Sequence, residues 1–281
     1  MSTNEAHIAY WGGRAGRAWT DHQEQMDQQL APHAEATLAT ATPTAGEHVL
    51  DIGCGCGATS LALAESVGSA GSVTGVDISP PMVARARQRA SSAELPQACF
   101  EVADAQTYQH PTAVDLAFSR FGVMFFDDTE AAFANIRGNL KTGGRFVFVC
   151  WQARELNQWI TLPAKAASKY IPLPDPPAPD TPGMFSLANR DRTYGMLRNA
   201  GFAKVEIAAS MVPVRIGGGS IDAAVSLFLA IGPVPSAMEA AGADSSLLDV
   251  IGNDLAALYQ SHQGPNGIEF PSNIWLIKAT R

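Results

Sequence analysis

Long hydrophobic runs, cysteine-rich segments and an excess of basic charge are all missing from this chain. None of its 281 residues falls in a stretch approaching the ~20 apolar residues that a bilayer span requires. The most apolar segment, Ala223 to Ile231, is short and runs into Gly232-Pro233. The opening segment, MSTNEAHIAYWGG, lacks a basic start followed by an apolar core, so no secretory signal is expected. Four cysteines, Cys54, Cys56, Cys99 and Cys150, are too few and too scattered for a disulfide framework. Reduced, buried thiols of a cytoplasmic protein are the expectation. Cys54-Gly55-Cys56 is tighter than the usual Cys-x2-Cys zinc arm and no second arm follows, so no metal is expected. Basic residues number 19 against 27 acidic ones, a net charge of -8, which argues against a dedicated nucleic-acid binder.

What is present is an ordinary globular composition, 46% hydrophobic, in a length that permits one elaborated domain or two small ones. Residues 1–45 are polar and helix-prone, and Trp19, Met26 and Leu30 share one helical stripe. From His48 the texture changes to short apolar strands alternating with helices. Strands are expected at His48–Gly53, Ser72–Ile78, Cys99–Ala103, Val114–Ser119 and Arg145–Trp151, the last after a Gly143-Gly144 turn. Ser79-Pro80-Pro81 has the form of a serine-capped helix start, and Asp127-Asp128-Thr129-Glu130 that of a capping box. This rhythm means a mainly parallel sheet with helices on both faces. Two segments interrupt it. One, 154–195, holds the proline-rich run Ile171–Gly183. The other, 217–271, opens on Gly217-Gly218-Gly219 and carries helical patterns at Ile221–Ile231 and Leu247–Tyr259. Strands at Ala203–Ile216 and Asn273–Thr280 close the chain.

The chemistry concentrates in Val49-Leu50-Asp51-Ile52-Gly53-Cys54-Gly55-Cys56-Gly57, where glycines between a strand and a helix let a ligand approach the backbone. Gly53, Gly55 and Ala58 fit the loose dinucleotide form G-x-G-x-x-G/A, with Asp77 where a ribose-binding acid would sit. The carboxylate of Asp51 would repel a pyrophosphate there and attract a cationic ligand. Five segments in order support the second reading. They are Asp51 to Gly57, Gly75-Val76-Asp77-Ile78-Ser79, Val102-Ala103-Asp104-Ala105, Val114 to Ser119, and Leu140-Lys141-Thr142-Gly143-Gly144-Arg145. On these residues the sequence resembles the class I S-adenosylmethionine-dependent methyltransferases, within the branch of quinone-biosynthesis and secondary-metabolite enzymes.

The resemblance implies an α/β fold with a Rossmann-like seven-stranded sheet, mostly parallel with an antiparallel last strand. Residues 1–45 become a helical cap, 46–153 the cofactor-binding core, and 154–195 and 217–271 a substrate cover, with 196–216 and 272–281 closing the sheet. S-adenosylmethionine is the implied cofactor and S-adenosylhomocysteine its product, without a metal. Asp51, Gly53, Cys54 and Gly55 would line it, Asp77 would accept the ribose hydroxyls, and Ile78 and Met82 would sandwich the adenine. Asp104 and Ala105 would read the adenine edge, and Ser119 and Arg120 would meet the ligand's ammonium through backbone carbonyls. Tyr10, Trp11 and Trp19 are read either as core packing or as an aromatic cap over the sulfonium. Phe121, Met124 and Phe125 follow the fourth strand where an acceptor would meet the methyl group.

The expected chemistry is in-line displacement onto an O, N or C nucleophile of a small, apolar or aromatic acceptor. No general base is assigned. His7, His22, His33, His110 and His262 are each more simply packing or surface residues, with His7 and His22 distinguished only by lying in the cap. The partner expected is a small-molecule acceptor, with no nucleic acid and no membrane, and a homodimer is left open. Methylation of RNA or protein, a non-catalytic S-adenosylmethionine-binding module and a nicotinamide oxidoreductase remain the alternatives.

Overall fold

Valine-, leucine- and phenylalanine-rich runs alternate with helices along the chain and assemble into one sheet. In a computed structural model, residues 3–281 are described apart from 176, 179, 180, 232, 233 and 245 and the side chains of Thr3, Asn4, Ala6 and Ser236. Gly232-Pro233 and part of the proline-rich run thus lie outside the described residues. Helices α1 (Thr3–Gly12), α2 (Arg14–Asp21) and α3 (Gln23–Ala41) precede the sheet. Then come β1 (His48–Ile52), α4 (Ala58–Val67), β2 (Ser72–Asp77), α5 (Pro80–Ser92), β3 (Ala98–Val102) and β4 (Val114–Arg120). A 3₁₀ turn at Gly122–Phe125 leads to α6 (Thr129–Asn139) and β5 (Leu140–Trp151). The remainder is α7 (Gln158–Ala167), α8 (Arg190–Asn199), β6 (Lys204–Ile216), α9 (Ile221–Ile231), α10 (Val234–Ala241), α11 (Ser246–Gln260), β7 (Gln263–Gly264) and β8 (Gly267–Thr280).

The strand order is β3-β2-β1-β4-β5-β8-β6, with the short β7 paired to β8 alone. β1 is parallel to β2 and β4, β2 to β3, and β4 to β5, whereas β8 runs antiparallel to both β5 and β6. The seven main strands and the antiparallel last strand are those expected. Strand order reverses between β1 and β4, which opens a crevice outside their carboxyl ends. Side chains alternate across the sheet. Leu50, Ile52, Ala117, Phe146 and Phe148 join one apolar cluster, while Val49, Leu116, Phe118 and Val147 join the other with residues of α4 and α5. Each fully buried valine, leucine, isoleucine or phenylalanine among them contributes about 1.5–3 kcal/mol.

Several local expectations are corrected. The N-terminal stripe is split, because the chain leaves helical geometry at His22 (φ -103, ψ 20) between α2 and α3. Trp19, Met26 and Leu30 nevertheless pack into the same core. Ser79 occupies the N-cap of α5 without a side-chain cap bond, since its hydroxyl turns to the Trp11 carbonyl. The thiols are all free, but only Cys54 and Cys150 are buried. Cys56 is half-buried, and Cys99 is exposed because it faces outward from the edge strand β3, between inward Ala98 and Phe100. The last strand begins at Gly267 rather than Asn273, and α10 adds a helix to the second insertion. The insertions meet each other, α11 packing on α7 and α9, and α9 also touches α2 of the N-terminal region. Among the described residues no helix is long and apolar enough to cross a membrane.

Candidate functional site

β1 brings Asp51 to the crevice, and the glycine loop turns immediately after it. Gly53 has φ +66, and a Cβ there would lie 2.7 Å from Cα of Gly122 on the turn after β4. Close approach of the two loops and the left-handed backbone both demand glycine. Ser119 fixes the same approach. Its buried hydroxyl donates to the Ile52 carbonyl at 2.7 Å and accepts the Gly122 N–H at 3.2 Å.

Asp51 is fully buried, and its Oδ2 accepts hydrogen bonds from Thr59 Oγ1 (2.8 Å) and Ser60 Oγ (2.5 Å). Its Oδ1 has no hydrogen-bond partner among the described residues. Burial pushes the carboxyl up to about 6, against the pull of the two hydroxyls and the Arg120 guanidinium. Asp77 is buried too, accepting the Ser79 N–H on Oδ1 and the Gly55 N–H on Oδ2, both at 2.9 Å. Burial raises its pKa despite those bonds. Each oxygen keeps a second lone pair after its backbone bond. Arg120, half-buried at the end of β4, acts electrostatically on Asp27 and Asp51, and its desolvation lowers its own pKa. The crevice thus holds charges of both signs.

The other expected ligand contacts border this centre. Met82 is buried on the first turn of α5, its Sδ 3.8 Å from where a Cβ on Gly55 would stand, and Ile78 is half-buried. Cys54 is buried in the glycine loop. Asp104 is half-buried two residues past β3, its Oδ1 accepting the Gln106 N–H at 3.0 Å, and the Ala105 carbonyl accepts from Asn135 Nδ2 at 3.2 Å.

The cap aromatics gather around Trp11. Its ring meets Trp19 edge-on at 5.9 Å and Phe125 at 5.4 Å, and its carbonyl accepts the Ser79 hydroxyl at 2.7 Å. Tyr10 contacts Trp11 but is 56% exposed and stands outside the cluster. His7 lies edge-on to Phe125, its buried Nδ1 without a hydrogen-bond partner among the described residues. His22 is apart, on the break between α2 and α3, with its Nδ1 3.0 Å from Gln25 Oε1. Phe121 turns inward, stacked on Trp151 at 4.0 Å, while Met124 is buried and its carbonyl accepts the Gly183 N–H and the Ser186 hydroxyl.

Sequence reasoning left three neighbours of the site unmarked, Thr59 and Ser60, which hold Asp51, and Trp151, which ends β5, and it read His33 only as a packing or surface residue. His33 is fully buried against Phe121 and Trp151. Its spacing after Met26 and Leu30 puts it on the buried stripe of α3, the one signal that separates it from the other histidines. Among the described residues no group of three or more His, Cys, Asp or Glu is placed to hold a metal ion.

Residues 49–144 match the family described as "Methyltransferase domain". Aklanonic acid methyltransferase DauC of Streptomyces sp. (strain C5) is 39% identical over 120 residues, covering 42% of this chain and 54% of that protein. Nocamycin O-methyltransferase of Saccharothrix syringae is 31% identical over 115 residues, 41% of each chain. The chain therefore spans about half the length of the curated relatives it matches. Among solved structures, the YcgJ protein of Bacillus subtilis is similar with a TM-score of 0.55 at 19% identity, over 88% of this chain and 97% of that one. Phosphoethanolamine N-methyltransferase 2 of Haemonchus contortus, in complex with S-adenosyl-L-methionine, gives 0.54 at 18% identity, over 89% of this chain and 52% of that one. These structural likenesses establish the fold.

Proposed function

Residues 49–144 are a methyltransferase domain, and from that premise we propose that the chain is a class I S-adenosylmethionine-dependent methyltransferase acting on an O, N or C nucleophile of a small, apolar or aromatic metabolite. The observation that carries the reading is Asp51 Oδ1, a buried carboxylate oxygen without a hydrogen-bond partner among the described residues, at the end of β1 just before the glycine loop. Leaving such an oxygen unpaired is costly, and a cationic ligand relieves the cost. With Arg120 nearby, the pair complements a zwitterionic amino-acid group, ammonium toward Asp51 and carboxylate toward Arg120.

When bound, S-adenosylmethionine supplies a methyl carbon activated by its sulfonium and leaves as S-adenosylhomocysteine. In this reading the remaining lone pairs of Asp77 receive the ribose hydroxyls. Ile78 and Met82 flank the adenine, and Asp104 and Ala105 read its edge. Gly53, Cys54, Gly55 and Ser119 shape the floor beneath it. Trp11 and Trp19, with Tyr10 on the outer side, close the cap and exclude water. Phe121, Met124 and Phe125 border the acceptor space. The cap of residues 1–45 and the insertions at 154–195 and 217–271 then form one cover over the core of 46–153, with 196–216 and 272–281 closing the sheet. The contact of α9 with α2 supports this division, although β8 takes the residues from Gly267 onward out of the cover.

Calorimetry with S-adenosylmethionine, S-adenosylhomocysteine and NAD tests the reading. Binding of the first two, lost in Asp77→Ala, is expected, whereas binding of NAD alone would overturn it. Labelled S-adenosylmethionine incubated with a metabolite extract then identifies the acceptor.

A further inference from the structure

The imidazole of His33 lies edge-on against the stacked pair of Phe121, the residue after β4, and Trp151, the last residue of β5, with ring centroids 5.4 Å and 5.0 Å away. Its Nε2 is 2.8 Å from Ser272 Oγ, and that hydroxyl donates to the Val212 carbonyl at 2.7 Å. A carbonyl cannot donate, so the single hydroxyl proton of Ser272 is committed to Val212. His33 Nε2 must therefore carry the proton that joins it to Ser272. Nδ1 is left as a bare lone pair, fully buried and with no hydrogen-bond partner among the described residues.

Burial, reinforced by the Arg120 guanidinium, holds the His33 pKa down to about 3. The ring is consequently neutral at physiological pH, suited to receiving a hydrogen bond and unsuited to storing a proton. The same positive charge disfavours a protonated amine at this position and favours a neutral or anionic hydroxyl. Phe121, whose ring meets the imidazole edge-on, has φ +64. A phenylalanine in the left-handed region is strained, and such strain concentrates at ligand sites.

We propose that His33 is an acceptor-binding residue whose Nδ1 receives the hydrogen bond of a phenolic or enolic hydroxyl, with the ring of that molecule lying against Phe121 and Trp151. The assignment rests on the methyltransferase reading above and narrows it to hydroxylated aromatic acceptors. His33 binds and orients the acceptor and is not its general base.

Two substitutions separate this role from a structural one. His33→Gln keeps a donor at the Nε2 position for Ser272 and removes the Nδ1 lone pair. His33→Asn keeps an acceptor near Nδ1 and loses the reach to Ser272. The probes are naphthol and its methyl ether, titrated into protein saturated with S-adenosylhomocysteine and followed by NMR of the imidazole nitrogens in histidine-labelled protein. Naphthol is expected to shift the His33 Nδ1 resonance and its ether to leave it unmoved. His33→Gln should weaken naphthol binding about tenfold while retaining the melting temperature. His33→Asn should do the reverse. Equal binding of naphthol and its ether, no binding of naphthol, or an undiminished preference in His33→Gln would overturn the proposal. Failure of S-adenosylhomocysteine itself to bind, read by calorimetry, would overturn the underlying methyltransferase reading and this assignment with it.

Discussion

The hydroxyl of Ser79 donates to the backbone carbonyl of Trp11 at 2.7 Å, tying the N-terminal cap to the end of β2. The neighbouring Ser79 N–H donates to Asp77 Oδ1, so one residue touches both the cap and the carboxylate proposed to hold a ribose. Gly16 completes the joint, since a Cβ there would stand 1.9 Å from the Trp11 carbonyl oxygen and 2.5 Å from Ser79 Oγ. The position of α1 and α2 and the carboxylate of the proposed cofactor site are therefore set by the same few atoms.

Ser79→Ala removes one buried hydrogen bond and should lower stability by about 1 kcal/mol in chemical denaturation. Gly16→Ala cannot keep the joint, because the obstruction is backbone. It should unseat α1 and α2, exposing Trp11 and Trp19 to solvent. Red-shifted tryptophan emission and faster hydrogen exchange through residues 14–21 are expected, together with weaker binding of S-adenosylmethionine. Unaltered exchange in Gly16→Ala would contradict the close packing described.

Asp51 is destabilising in the ligand-free protein, and its substitution should reveal this. The native carboxyl titrates at about 6, against an ordinary value of 3.8. Between those values the native state binds more protons than the unfolded state, so this group makes stability grow as pH falls from 6 toward 3.8. The shift corresponds to roughly 3 kcal/mol lost to the ionised form at neutral pH. Asp51→Asn should therefore raise neutral-pH stability by up to about that amount and flatten the dependence in this window, while weakening S-adenosylmethionine binding. A variant both less stable and equally able to bind would show that Asp51 is structural.

The sheet and the glycine loop were legible because local pattern and tertiary role agree there. Val49 to Gly57 alternates as a buried strand and then turns where only glycine fits against Gly122. Where tertiary contacts decide, local pattern misleads. Pro271 hid the first half of β8, since proline has no N–H for a ladder. In the fold Pro271 faces Pro213 on β6, and β5 ends at Trp151 opposite Ile274, so Pro271 has a strand neighbour on one side only. The break at His22 follows no glycine or proline and coincides with docking of α2 through Gly16 onto Ser79. The stripe of Met26 and Leu30 sets His33 apart from the other histidines as a buried residue, but its tautomer is fixed only by Ser272, distant in sequence. Asp104 makes a local turn bond to Gln106 that any strand-end aspartate could make, a bond that leaves the proposed adenine contact open.

Gly53→Ala tests the narrowest point of the loop. The methyl group would meet Gly122 Cα at 2.7 Å, and the residue would have to hold φ +66. Strain of this kind costs about 1–3 kcal/mol before the clash is counted. The turn after β4 has little room to yield, because Ser119 holds it to Ile52. A lowered melting temperature and loss of S-adenosylhomocysteine binding in calorimetry are expected. Full retention of both would mean that the two loops separate readily.

His33 acts on acid stability with the opposite sign to Asp51. An unfolded histidine titrates near 6.5 and native His33 near 3, so between those values the unfolded state binds more protons. Stability from this group is complete above 6.5 and is lost as pH falls toward 3, by about 5 kcal/mol in all. Between 3.8 and 6 this slope and that of Asp51 are opposite in sign and nearly equal in size, so in the wild-type protein the two largely cancel there, and the acid loss shows above 6 and below 3.8. His33→Gln cannot titrate and keeps a donor for Ser272, so its denaturation midpoint should rise as pH falls from 6 to 4, driven by Asp51 alone. Asp51→Asn should show a steeper acid loss than wild type, and the double variant should be nearly flat. Denaturant midpoints at pH 7, 5 and 4 for the four proteins decide the matter. A His33→Gln curve parallel to wild type would place the acid-labile group elsewhere.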